Sequence, residues 1–149
     1  MYKRILIPTD GSACSELALK QGLRLAQTLG AEVTLLHALE DPAVLYAPQV
    51  MTYHPDLYES LKQAGQAILA EAKALADKAG VTAKTVLADR IKPAEAILKA
   101  ESEVDLVVLG THGRRGFDRF MFGSVAEAAL RRATRPYLVI RDESGSDEA

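Results

Sequence analysis

Leu106-Val107-Val108-Leu109-Gly110-Thr111-His112-Gly113-Arg114-Arg115-Gly116-Phe117-Asp118-Arg119-Phe120-Met121-Phe122-Gly123-Ser124 is the stretch that decides how this chain folds. Four apolar residues bounded by glycine read as a short buried strand. After Gly110 comes a polar, arginine-bearing excursion, and at Gly123-Ser124 a helix-like segment starts. Glycine lets the backbone take φ > 0 and lets a ligand approach it closely. A helix start adds unpaired N–H donors and a partial positive charge. Such a loop suits phosphate.

Working outward, strand-like and helix-like runs alternate. Lys3–Pro8, Glu32–Ala38, Ala83–Ala88, Asp105–Leu109 and Tyr137–Arg141 read as strands. Ser12–Leu29 is helical, with Cys14, Leu17, Ala18, Gly22, Leu25, Ala26 and Leu29 on its apolar face and Gly30 as its stop. Pro55–Ala79 is a long helix with Leu61, Ala64, Ile68, Ala72 and Leu75 as the expected buried stripe. Pro93–Ala100 and Ser124–Ala133 complete the set, Pro93 suiting a first helical turn. Alternation of this kind implies right-handed crossovers and a parallel sheet with helices on both faces. In such sheets ligands bind beyond the carboxyl ends of the strands, where the strand order reverses. Asp10 follows the first strand and Gly110 the fourth, so both face one crevice if those strands are central neighbours.

Bulk properties narrow the function classes. A chain of 149 residues fits one domain. We expect residues 1–141 to form it, with the acidic Ser/Gly-containing stretch 142–149 as a disordered tail and residues 40–54 as a loop or lid. No apolar run reaches the roughly 20 residues that span a bilayer. The single Cys14 fits a reducing compartment, and the apolar part of Met1–Pro8 is too short for a secretory signal, so the expected location is cytoplasmic. Residues 110–141 hold seven arginines against Asp118 and Glu127, which puts basic excess on the segment suspected of holding an anion. Nucleic acid would need a wider basic stripe or interleaved aromatics, and neither is present. No Asp/Glu/His/Cys cluster has metal-site spacing, so any Mg²⁺ would come with a nucleotide.

Three of these features have readings that need no ligand. Ser124-Val125-Ala126-Glu127 fits a capping box. Asp10-Gly11-Ser12 fits a helix cap, and Gly110 and Gly113 fit a tight turn. His112 fits a phosphate donor or an exposed loop residue, and His37 a satisfied interior side chain.

With these residues in view the chain resembles the universal stress protein family over nearly its whole length. The likeness rests on Ile5–Ser12, Leu35-Leu36-His37, Pro93–Ile97, Asp105–Gly113, Gly123–Glu127 and Pro136–Ile140. The family's ATP-binding branch carries Gly-x2-Gly-x9-Gly-Ser/Thr, met here by Gly110, Gly113, Gly123 and Ser124. The resemblance implies a Rossmann-like, adenine nucleotide alpha hydrolase-like sheet of order 3-2-1-4-5. It also implies a homodimer and an ATP, with Mg²⁺, between strands one and four. It carries over Pro8, Thr9 and Asp10 to the ribose and metal side, and Ala38 to the adenine pocket, where Val is frequent. Leu109 and Gly110 fall under the sugar and phosphates, and Gly113, Gly123, Ser124 and Val125 in the phosphate cradle, with His112 and Arg114 of the excursion beside them. Asp89-Arg90-Ile91-Lys92 departs from the usual glycine-containing turn, and Ala126 stands where some members have a hydroxyl.

The implied function is a dimeric, nucleotide-dependent regulatory module of the stress response, paired through the edge strand Tyr137–Ile140. The rivals are a slow ATPase or phosphotransferase at the same site, and a stress dimer that binds no nucleotide. The chain has no Gly-x-x-x-x-Gly-Lys-Ser/Thr loop, no evident water-orienting residue and no Gly-x-Ser-x-Gly, so no catalytic residue is assigned.

Overall fold

Five parallel strands lie in the order β3-β2-β1-β4-β5. The structure is a computed structural model and describes residues 1–41, 55–111 and 123–141. The elements are β1 Arg4–Pro8, α1 Ala13–Leu29, β2 Glu32–Leu39, α2 Pro55–Lys78 and β3 Ala83–Asp89, then α3 Pro93–Ala100, a 3-10 turn Glu101–Glu103, β4 Leu106–Gly110, α4 Ser124–Arg132 and β5 Tyr137–Ile140. The expected alternation and strand order are both borne out. Of the segments read from sequence, 42–54 and 142–149 lie outside the described residues.

Period-two side-chain alternation splits the core into two layers. Ile5, Ile7, Val33, Leu35, Leu106 and Val108 point to α1 and α2, against Leu19, Leu23, Leu69 and Ala72. Leu6, Leu36, Val107 and Leu109 point to α3 and α4, against Ala96, Ile97, Ala126 and Ala129. The central strands β1 and β4 are therefore apolar on both faces, as a sheet covered twice requires.

The helix faces differ from the expected stripes. On α2 the buried residues are Gly65, Leu69, Ala72 and Ala76, while Ala64 is exposed and Leu61, Ile68 and Leu75 are half-buried. On α1, Ser15, Leu19 and Leu23 join Cys14, Ala18, Gly22 and Ala26 in the interior, and Leu29 is 44% exposed. Alanine on nearly every side of α2 leaves its apolar direction ill-defined. The sheet chooses the face, and it takes the one where Gly65 lies against the His37 ring. Gly30, at φ 65, ends α1 as expected.

At the β3 exit, Arg90 has φ 54, the only positive φ among described non-glycine residues. The departure from a glycine-containing turn therefore forces an arginine into the left-handed region, at a cost of about 1–2 kcal/mol. Its guanidinium stacks 4.8 Å from the centroid of the Tyr58 ring, which offsets part of that cost. The Tyr58 hydroxyl donates to Asp89, so the turn is tied to the start of α2.

Candidate functional site

The strand order reverses between β1 and β4, where β1 pairs β2 on one side and β4 on the other. β1 stops at Pro8, paired with Leu36, while β2 continues to Leu39. The chain therefore leaves the sheet at Thr9 beside a taller neighbour, and a crevice opens at the carboxyl ends. Pro8 and Ala38 are half-buried on its β1 and β2 sides, Ala38 paired with Ala88 of β3. Leu109 is buried and Gly110 half-buried at the end of β4.

The turn after β1 is held from several directions. Thr9 is 7% exposed, its N–H donates to the Leu36 carbonyl at 2.8 Å, and its carbonyl accepts from His37 Nδ1 at 2.8 Å. A carbonyl only accepts, so Nδ1 carries the proton. His37 is thus engaged by the fold, as expected, though half-buried rather than interior. Asp10 Oδ1 accepts from the Ser12 N–H at 2.9 Å, and Ser12 caps α1 by accepting from the Ser15 N–H at 3.2 Å. Asp10 is therefore not the cap. It braces the residue that is, and it stays half-buried at the mouth of the crevice.

On the β4 side, Gly110 is not in the left-handed region, so no turn demands a glycine there. Close approach does. A Cβ at this position would lie 2.7 Å from Cys14 Sγ and 3.0 Å from the Cys14 carbonyl oxygen. The missing side chain lets the first turn of α1 sit directly on the end of β4. Thr111, 2% exposed, donates its N–H to the Ile140 carbonyl at 3.0 Å and its carbonyl accepts from the Gly123 N–H. The two flanks of the excursion thereby meet, and the start of α4 is delivered to the end of β4.

The capping-box reading of Ser124 is corrected. Gly123 is the cap residue, with φ −58 and no side-chain cap bond, and Ser124 is the first helical residue. Glu127 instead reaches Arg131 at 2.6 Å. Ser124 and Val125 are exposed, and the first-turn N–H groups of α4 have no acceptor within the helix, the arrangement that favours an anion. His112, Gly113, Arg114, Arg115 and Arg119 lie outside the described residues.

Sequence reading missed Ser15 and Thr111, buried polar residues that hold the two sides of the crevice. Ser15 carried a faint signal in its spacing of three from Ser12; Thr111 carried none. Cys14, on the apolar face of α1, is buried as that face implies, and its sulfur lies 3.9 Å from both Thr111 Oγ1 and the Ile140 carbonyl. Among the described residues no His/Cys/Asp/Glu group converges as a metal site, and no helix is long and apolar enough to cross a membrane. A hollow of about 260 Å³ lies at the opposite pole, by Gln27, Gly30, Glu32 and Gly80. All four are exposed, so it lacks the buried polar groups that converge at the β1/β4 crevice.

The model of the Universal stress protein family matches residues 1–141. Universal stress protein MJ0531 of Methanocaldococcus jannaschii is 34% identical over 142 residues, 95% of this chain and 83% of that protein. The solved structure of MJ0577 from the same organism superposes with a TM-score of 0.81 at 28% identity, covering 95% of this chain and 97% of that one. A universal stress protein from Archaeoglobus fulgidus, solved in complex with dAMP, shares the fold at a TM-score of 0.66 and 23% identity, covering 93% of this chain and 98% of that one. The family thus includes nucleotide-binding members. From its strand order, its β1/β4 crevice and these matches, the chain belongs to the universal stress protein family.

Proposed function

We propose that this chain binds ATP, with Mg²⁺ brought by the nucleotide, in the crevice between β1 and β4, and acts as a dimeric, nucleotide-dependent regulatory module of the stress response. The observation that carries the reading is the bond from Gly123 to the Thr111 carbonyl, which sets the start of α4 at the end of β4, the strand next to β1. The donor set fits the ligand: backbone N–H groups of Ser124 and Val125 for phosphate, and Asp10 for the ribose and metal side. Leu109 and Gly110 are the floor under the sugar and phosphates, Pro8 and Thr9 line the site beside Asp10, and Ala38 is on the base side. His112, Gly113 and Arg114 are assigned to the cradle from the sequence pattern alone. Residues 1–141 are the binding unit and 142–149 an appended tail, and the expected setting is the cytoplasm.

Gly123 offers a clean test, since its φ of −58 is open to any residue and its backbone does not need a glycine. Calorimetry of the wild type with ATP and Mg²⁺ should give one site per chain. Gly123→Val should melt near the wild type while binding at least about tenfold more weakly, because a side chain there blocks approach to the backbone. No heat from the wild type at millimolar ATP would refute the function. Undiminished affinity in a folded Val variant would limit the glycine to the chain's own turn.

Dimerisation through β5 is part of the same reading. The Pro136 and Ile140 carbonyls accept from Val107 and Thr111, so by alternation Tyr137 and Val139 turn their backbone groups away from β4. Leu138 is 39% exposed. An unpaired apolar edge templates pairing with another chain. Val139→Pro removes an outward donor without breaking the β4 ladder, so light scattering should move from dimer to monomer with the fold retained. A wild-type monomer at tens of micromolar would contradict the dimer.

A further inference from the structure

Ser15 is 7% exposed, and its hydroxyl is the hub of the turn after β1. Ser15 Oγ lies 3.1 Å from the Ser12 carbonyl, 3.2 Å from Thr9 Oγ1 and 3.4 Å from the Asp10 N–H. The Ser12 carbonyl can only accept, so the one Ser15 proton goes there. Thr9 must then donate to Ser15, and Asp10 N–H is the second donor to the same oxygen. Thr9 Oγ1 keeps an accepting pair for the Gly11 N–H at 3.5 Å. Every bonding direction of the Ser15 hydroxyl is thus filled by the turn itself, with none left for a ligand.

We propose that Ser15 is a positioning residue for the nucleotide, acting through Asp10. The hydroxyl fixes the Asp10 backbone from below, while the Ser12 N–H fixes its carboxylate through Oδ1. Asp10 therefore meets its ligand already oriented, and the ordering cost is not charged to binding. Thr9, carried over as a lining residue, belongs to this support: its N–H, carbonyl and hydroxyl are all engaged internally. Removing the Ser15 hydroxyl leaves the buried Thr9 hydroxyl and the Asp10 N–H without their shared acceptor.

The inference rests on the proposed ATP site, and two measurements keep the two separable. In the free protein, amide exchange at Asp10 should speed up about tenfold or more in Ser15→Ala, as loss of a local bond lowers local protection. Unchanged exchange overturns the clamp whatever the chain binds. With ATP and Mg²⁺, a cycle of Ser15→Ala, Asp10→Ala and the pair reads the coupling. Ser15→Ala should weaken ATP on the order of tenfold in the wild-type background and less than about twofold once Asp10 is gone. Losses that simply multiply, or wild-type affinity in Ser15→Ala, overturn positioning through Asp10. A wild type that takes no ATP refutes the proposed function and with it the positioning role, while the exchange result still decides the clamp.

Discussion

Glu101→Ala should destabilise the chain by about 2–4 kcal/mol, lowering the midpoint by roughly 5–15 °C for a domain of this size. Glu101 is 3% exposed, yet it is well provided for. It accepts from Tyr137 Oη at 2.6 Å, Thr134 Oγ1 at 2.7 Å and the Thr134 N–H at 3.0 Å. Truncation would take the shared acceptor from the half-buried Tyr137 hydroxyl and from Thr134, and it would release the segment that leads into β5. Burial pushes the Glu101 carboxyl up, but the bonds from Tyr137 and Thr134, with Arg135 nearby, outweigh it and hold the group below the usual glutamate range. Because the folded value is depressed, this stabilisation is present above the unfolded glutamate pKa of about 4.3 and is lost as pH falls through the folded value. Tyr137 is shifted the other way, raised by burial and by its bond to Glu101. Its contribution is present below about pH 10 and erodes as the medium becomes more alkaline. Urea melts across pH should show both limbs in the wild type, and Glu101→Gln should flatten the acid one. An Ala variant within about 0.5 kcal/mol of the wild type would mean that the buried carboxylate stabilises nothing.

Gly110→Val should cost on the order of 3 kcal/mol, and Gly110→Ala about 1–3 kcal/mol, from overpacking alone. Any Cβ meets Cys14 Sγ at 2.7 Å and the Cys14 backbone at 3.0 and 3.2 Å. Cys14→Ala should therefore restore only part of the loss in Gly110→Ala: it removes the sulfur and leaves the carbonyl in place. A full rescue would assign the conflict to the side chain. The backbone contact predicts that α1 must shift, carrying Ser12 and Asp10 with it, so nucleotide affinity should fall alongside stability. Denaturant melts and calorimetry on the same samples separate the two effects.

How much of this was legible beforehand depended on how sharply each physical signal is written locally. The apolar runs of β1, β2 and β4 and the glycine stop after α1 were read within about a residue, because strand burial and helix termination are short-range. Pro93 at the head of α3 was read in place for the same reason, its fixed φ suiting a first turn. The α2 stripe slipped toward Ala64 because a helix with alanine all round carries no strong preference for a face. The capping box at Ser124 failed because Gly123 bonds to Thr111, a partner reached across the excursion, and moves the helix start by one residue.

By itself the sequence determined the class of fold and pointed to the strand ends of the candidate site: strand and helix periods alternate, glycines bound the loop, and arginine gathers after β4. Tertiary structure alone decided what each residue there does. Gly110 is glycine because α1 rests on it, Thr9 and Ser15 form the support, and Asp10 braces a cap rather than being one. These are contacts between segments brought together by the parallel crossovers, Cys14 with Thr111 and Thr9 with His37. Local propensity cannot encode them, since the partner is chosen by strand order and register rather than by distance along the chain.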